Sequence, residues 1–145
     1  MTQAADIAFG TQHEIDVLPR INTLLGTDLV RNPNKYATFD YINGNGNVFV
    51  ELKSRRINHN QYPTALIGLN KVRLCQSLFD TTFYFFYKYN DGLFYIKYDK
   101  EQFSKFNTIV GYKRSCRSDC YNKADDVVEI PYTALTRVTL EPEWQ

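Results

Sequence analysis

Histidine is almost missing from this chain: His13 and His59 are the only two, and neither stands at a metal-ligand spacing from the other. Cysteine is scarce too, and the odd count of three gives no disulfide framework. Cys116 and Cys120 share a polar loop while Cys75 lies far away. A zinc site needs about four ligands, so free thiols in a reducing compartment are expected. No apolar run approaches the ~20 residues of a membrane span. The opening residues Met1–Asp6 have neither the basic flank nor the apolar core of a signal peptide. The expected setting is the cytoplasm or nucleus, with no membrane partner. Charge of one sign is lacking as well: 17 Lys and Arg stand against 16 Asp and Glu, a net charge of +1. Any surface for a polyanion must then be a local patch and not a global field.

Aromatic residues are plentiful, 15% of the chain with 11 Tyr and 10 Phe, which favours a β-rich core. The 145 residues suit one domain, 1–145, with no repeat or linker. Richness in Asn, Lys, Tyr, Phe and Ile points to an AT-rich genome such as that of a virus or phage. The most informative stretch is Thr38–Lys53, where two β-branched and aromatic runs flank Asn43-Gly44-Asn45-Gly46-Asn47. This predicts a β-hairpin. With Gly44-Asn45 at the tip, Ile42 faces Asn47 and Asp40 faces Phe49. Alternation then puts Asp40, Phe49, Glu51 and Lys53 on one face and Val48, Val50 and Leu52 on the other. Asp40 and Glu51 become diagonal neighbours, able to hold one divalent cation. Lys53 follows where an ammonium group orients a water or stabilises charge on a phosphate.

Asp40, ten intervening residues, then Glu51-Leu52-Lys53 across a hairpin resembles the active-site signature of the PD-(D/E)XK nuclease superfamily, with Phe39-Asp40 in place of Pro-Asp. The order of elements from Thr11 to Tyr98 is similar to its α/β, restriction-endonuclease-like core, a mixed central β-sheet flanked by helices. The small size and a Glu ahead of the Asp are similar to Holliday-junction resolvases and phage junction endonucleases. The resemblance implies Mg²⁺- or Mn²⁺-dependent hydrolysis of a phosphodiester in DNA processing or recombination, with DNA ahead of RNA as partner. Asp40, Glu51, Glu14 and the Leu52 carbonyl would hold the metal, and Lys53 would serve the transition state. It further implies a Lys or Gln on the helix after the hairpin, a place Lys71 or Gln76 would fill. A non-catalytic nucleic-acid or protein-binding module of the same fold is the alternative, and an unrelated β-rich structural protein a third.

Elsewhere, residues 11–26 read as a helix with the stripe Glu14, Leu18, Ile21 and Leu25, kinked or restarted at Pro19. Arg55, Arg56 and His59, just past Lys53, are candidate phosphate contacts, with Lys71 and Arg73 further on. A helix is predicted within Thr64–Phe79, with Leu74, Cys75, Leu78 and Phe79 inward. Strands follow at Thr82–Tyr89 and Leu93–Tyr98 around an Asn90-Asp91-Gly92 turn. A short helix at Lys100–Phe106, strands at Thr108–Lys113 and Val127–Ile130, and a turn or helix at Ala134–Val138 complete the expectation. A duplex or junction cutter of this size is expected to form a homodimer, with the aromatics of Phe83–Tyr98 as the candidate interface.

Overall fold

A computed structural model of the chain describes residues 3–34, 39–113 and 124–139. Cys116, Cys120 and the basic loop around them lie outside the described residues. The chain opens with helix α1, Gln3–Leu25. Its buried stripe is Val17 and Ile21, with Leu18, Leu24 and Leu25 alongside. Pro19 sits inside the helix without breaking it. The hydrogen bond that proline forfeits would have gone to the Ile15 carbonyl, and Ile15 is exposed, so water can serve that oxygen. Gly26 then ends the helix in the left-handed region at φ +63°.

Short strands β1 (Val30–Arg31) and β2 (Tyr41–Ile42) lead into β3 (Val48–Ser54). The expected hairpin forms, but with a four-residue turn in place of the two-residue tip. Asn43 and Val48 close it, through a bond from the Asn43 N–H to the Val48 carbonyl. The Asn43 side-chain oxygen accepts the N–H groups of Asn47 and Val48, at 2.9 Å each. Gly46, at φ +69°, supplies the left-handed step. Ile42 therefore pairs with Phe49 and Tyr41 with Val50, two residues from the expected register.

The stretch expected as one helix divides. Thr64–Gly68 is strand β4, with Ala65 and Ile67 buried in alternation, and only Leu69–Ser77 is helix α2. Within α2, Val72 and Cys75 are buried, whereas Leu78 and Phe79 lie beyond its end and are exposed. Strands β5 (Thr82–Tyr89) and β6 (Gly92–Lys97), helix α3 (Lys100–Ser104), strands β7 (Asn107–Lys113) and β8 (Ala124–Pro131), a short 3-10 turn at Tyr132–Ala134 and strand β9 (Thr136–Arg137) complete the order. Of the turn or helix expected at Ala134–Val138, Ala134 ends the 3-10 turn and Thr136–Arg137 is strand.

Six strands form a mixed sheet in the order β1-β2-β3-β5-β6-β9, and β4-β8-β7 form a second, antiparallel sheet. Among the described residues, only β3 and β5 run parallel within the large sheet. Parallel neighbours require a crossover, and β4 with α2 provides it. One face of the large sheet carries Val50, Leu52, Phe86 and Leu93 against α1. The other carries Phe83, Phe85, Tyr87 and Phe94 against β4, β8, α2 and α3. The Tyr87 hydroxyl donates to the Leu66 carbonyl between the two sheets. This mixed sheet, covered on both faces, is the expected fold class; the second sheet was not foreseen.

Most of the aromatics of Phe83–Tyr98 belong to the core, with Tyr84, Tyr95 and Tyr98 only partly buried. Phe83, Phe85, Phe86, Tyr87, Tyr89 and Phe94 are all buried within the subunit, and β5 is central with neighbours on both edges. Truncating Phe86, fully buried beneath α1, to alanine should cost about 3–5 kcal/mol. Phe79→Ala, at a side chain 89% exposed, should stay within about 0.5 kcal/mol of the parent. Urea unfolding of both variants checks the assignment of inside and outside.

Candidate active site

Glu51 lies mid-strand in β3, one of the central strands, between the buried Val50 and Leu52. It is 6% exposed and the one charged side chain among the buried described residues. A carboxylate so placed needs a partner. Lys71, on the first turns of α2, provides it through an ion pair to the Glu51 Oε2. The Lys71 ammonium also stands 5.9 Å from the centroid of the Phe39 ring. Phe39 occupies the place of the motif proline. The backbone bends at Phe39–Asp40, and the ring packs with Phe49, Phe83 and Phe85 at centroid distances of 5.8, 5.2 and 6.2 Å.

The β2–β3 register, continued by one residue, puts Asp40 across from Glu51, not diagonal to it as the shorter turn implied. Such opposed positions bring Cβ atoms to about 4.5–5.5 Å. One Asp40 oxygen accepts the Leu52 N–H at 2.8 Å. Because the N–H and C=O of one strand residue leave the same edge, the Leu52 carbonyl also faces the β2 side. Burial raises the Asp40 pKa above its ordinary value, against the opposing pull of the Leu52 N–H and of Lys71, Lys53 and Arg31. Two of those cations, Lys53 and Lys71, belong to the Glu51 side of the sheet.

Glu14 approaches from α1. Its carboxylate is 3.4 Å from the Arg31 guanidinium, and its backbone oxygen accepts the Tyr41 hydroxyl at 2.6 Å. Burial and then the Asp40 charge raise its pKa, and Arg31 opposes both. Glu14 thus feels Asp40 but is drawn toward β1. Among the described residues, no three acidic, histidine or cysteine side chains gather closely enough to form a metal-ligand group. The donor set is a carboxylate pair with a carbonyl, which suits Mg²⁺, an ion that keeps several waters and takes one or two protein carboxylates.

The basic candidates do not act together. Arg55 exerts its charge on Tyr87 and Tyr89, on the second-sheet side. Arg56 exerts its charge on His13, on the α1 side. His59 is turned to the β5–β6 turn. Its Nδ1 is 2.5 Å from Asp91, its ring stacks on Phe94 at 4.3 Å, and its N–H also binds Asp91. Arg73 and Gln76 are exposed on α2. A cavity of about 400 Å³ lined by Tyr95, Tyr98, Asp99 and Gln102 contains none of the candidate residues. Sequence reasoning missed Arg31 as a partner of Glu14, for lack of any signal that β1 would lie there.

Breaking the buried pair with Lys71→Met should cost about 3–5 kcal/mol by leaving Glu51 uncompensated. The double variant Glu51→Gln/Lys71→Met should recover much of that, and a double-mutant cycle by urea unfolding measures the coupling. The raised acids carry a second expectation. A carboxyl that holds its proton more tightly folded than unfolded favours the fold at low pH, and that contribution is lost as pH rises through the raised value. Asp40→Asn, whose amide oxygen can still accept the Leu52 N–H, should therefore melt above the parent at about pH 7 in EDTA. The gap should close toward about pH 4, and thermal melts across this range check it.

A family model described as "Phage putative PDDEXK endonuclease" matches residues 8–138. A comparison with curated proteins finds no match. The matched span includes Glu14, Asp40, Glu51, Lys53 and Lys71.

Proposed function

Since the chain belongs to the phage putative PDDEXK endonuclease family, we propose that it hydrolyses phosphodiester bonds in DNA with the help of Mg²⁺ or Mn²⁺. The observation that carries this reading is the buried Glu51 opposite Asp40, with Lys53 beyond it on the same strand. No packing need accounts for two carboxylates at that place in a central sheet.

In this reading Asp40 and Glu51 hold the divalent ion together with the Leu52 carbonyl, and Glu14 sits outside that set, modulating it through Asp40. These residues would hold an ion whose chemistry is to activate a water and to offset charge at the phosphate. Lys53 orients the attacking water and stabilises charge on the pentacovalent phosphorus. Lys71 pairs with Glu51 and fixes it in place, and the Leu52 N–H fixes one oxygen of Asp40. Arg55, the residue after β3 and on the Lys53 side by alternation, would be the arginine of the pair to meet a phosphate at this site.

The test uses labelled plasmid, linear duplex, single-stranded and branched DNA, with Mg²⁺ or Mn²⁺ against EDTA. The parent should cut at least one substrate with metal and none in EDTA. Asp40→Asn and Lys53→Met should each lose about 10²-fold or more in rate and still bind the same DNA. Parent and Asp40→Asn proteins that bind equally while neither cuts any substrate would overturn the nuclease reading and leave a binding module.

A further inference from the structure

The α1-facing row of β3 runs Val48, Val50, Leu52 and then changes character at Ser54; the matching row of β5 runs Tyr84, Phe86 and then Lys88. Ser54 and Lys88 are register partners at the ends of the two parallel strands. His13 of α1 covers this level, its Nδ1 2.8 Å from the Ser54 Oγ. The positive charges of Lys88 and Arg56 both reach His13, with Asp16 opposing them. Asp16 is exposed and accepts a hydrogen bond from Gln12. Lys88 donates to the carbonyl of its neighbour Tyr89 at 2.7 Å, which holds the ammonium at the strand end. An apolar row thus ends in a hydroxyl, an imidazole and two cations, contributed by three separate segments.

From this placement we infer that Ser54, His13, Lys88 and Arg56 form a second anion site, which takes a backbone phosphate of the nucleic acid flanking the scissile one. The inference rests on the proposed function for its ligand. Ser54 is one residue past Lys53, about 3.3 Å along the strand but on the opposite face. A nucleic-acid strand crossing the ends of β3 and β5 meets both. In the tautomer with its proton on Nδ1, His13 donates to the Ser54 Oγ and leaves the hydroxyl proton for a phosphate oxygen. Lys88 and Arg56 supply the charge. The two adjacent arginines then have separate tasks: Arg55 serves the face of Lys53, and Arg56 the face of α1.

The experiment measures binding of a labelled DNA duplex in EDTA, where no cutting occurs, by fluorescence anisotropy across a range of KCl. Lys88→Met and Arg56→Gln should each weaken binding by about 3–10-fold and each reduce the salt slope by about 0.9. Thermal melts establish that the variants are folded, and Arg56, exposed at the surface, is the safeguard should Lys88→Met unfold. A series of duplexes with single neutral methylphosphonates then locates the contact. At one position other than the scissile phosphate, the neutral linkage should weaken the parent and leave the Arg56→Gln variant unaffected. Inorganic phosphate serves as the competitor: displacement of DNA only at the parent's site identifies a general anion pocket, and its failure identifies a backbone contact, the expected result. Folded variants with parental affinity and slope would overturn the second site while leaving the nuclease reading intact. A parent that binds no DNA in any salt would overturn both.

Discussion

A carboxylate buried in the middle of a central strand has to be answered by a cation, and Glu51 is answered by Lys71. Most of the architecture follows from making that answer possible. The lysine belongs to α2, and α2 exists where it does because β3 and β5 are parallel and need a crossover between them. The crossover carries β4 into a second sheet, and that sheet closes the face on which Glu51 lies. The pair is not a source of stability beyond what an apolar pair of similar volume would give. The fold and the acid are therefore joined by one electrostatic debt, settled by the same segment that sets the sheet order.

The two faces of the sheet divide the chemistry. Toward the second sheet lie the acid pair, Lys53, Lys71 and the Phe39 ring, with aromatic packing beneath them. Toward α1 lie the aliphatic row and, at its end, the hydroxyl, imidazole and cations around Ser54. Strand β3 contributes to both because its side chains alternate. A seven-residue strand thus serves two surfaces, and a change at one position leaves the other face in register.

Much of this was legible in the sequence. Alternation in Val48–Ser54 and Thr82–Tyr89 marked both strands, and the acids were found from their spacing around a turn. The fold class followed from the order of elements. What escaped were features fixed by distant partners or by particular side chains. The turn length depended on the Asn43 side chain accepting two N–H groups, which glycine content alone does not reveal. Strand β4 was hidden because Thr64–Gly68 is short and runs directly into helix-forming residues. The helix expected over 11–26 begins at Gln3 and runs through Pro19 without a restart, harmless here because Ile15 faces water. His59 and Arg56 looked alike as polar residues past Lys53, but only their partners, Asp91 and Phe94 for one and His13 for the other, separate their roles.

The pairing of β2 with β3 makes the spacing of the acids a stepped quantity. Sliding one strand by a single residue would turn Asp40 to the wrong face. Sliding by two would keep the face but set Asp40 against Phe49 in one direction and Lys53 in the other. The first would strand each acid alone, and the second would convert the pair of acids into a salt bridge. No small displacement lies between these states, because the ladder admits only whole steps of about 6.6 Å. The Asn43 turn, through its two hydrogen bonds, selects one rung among them.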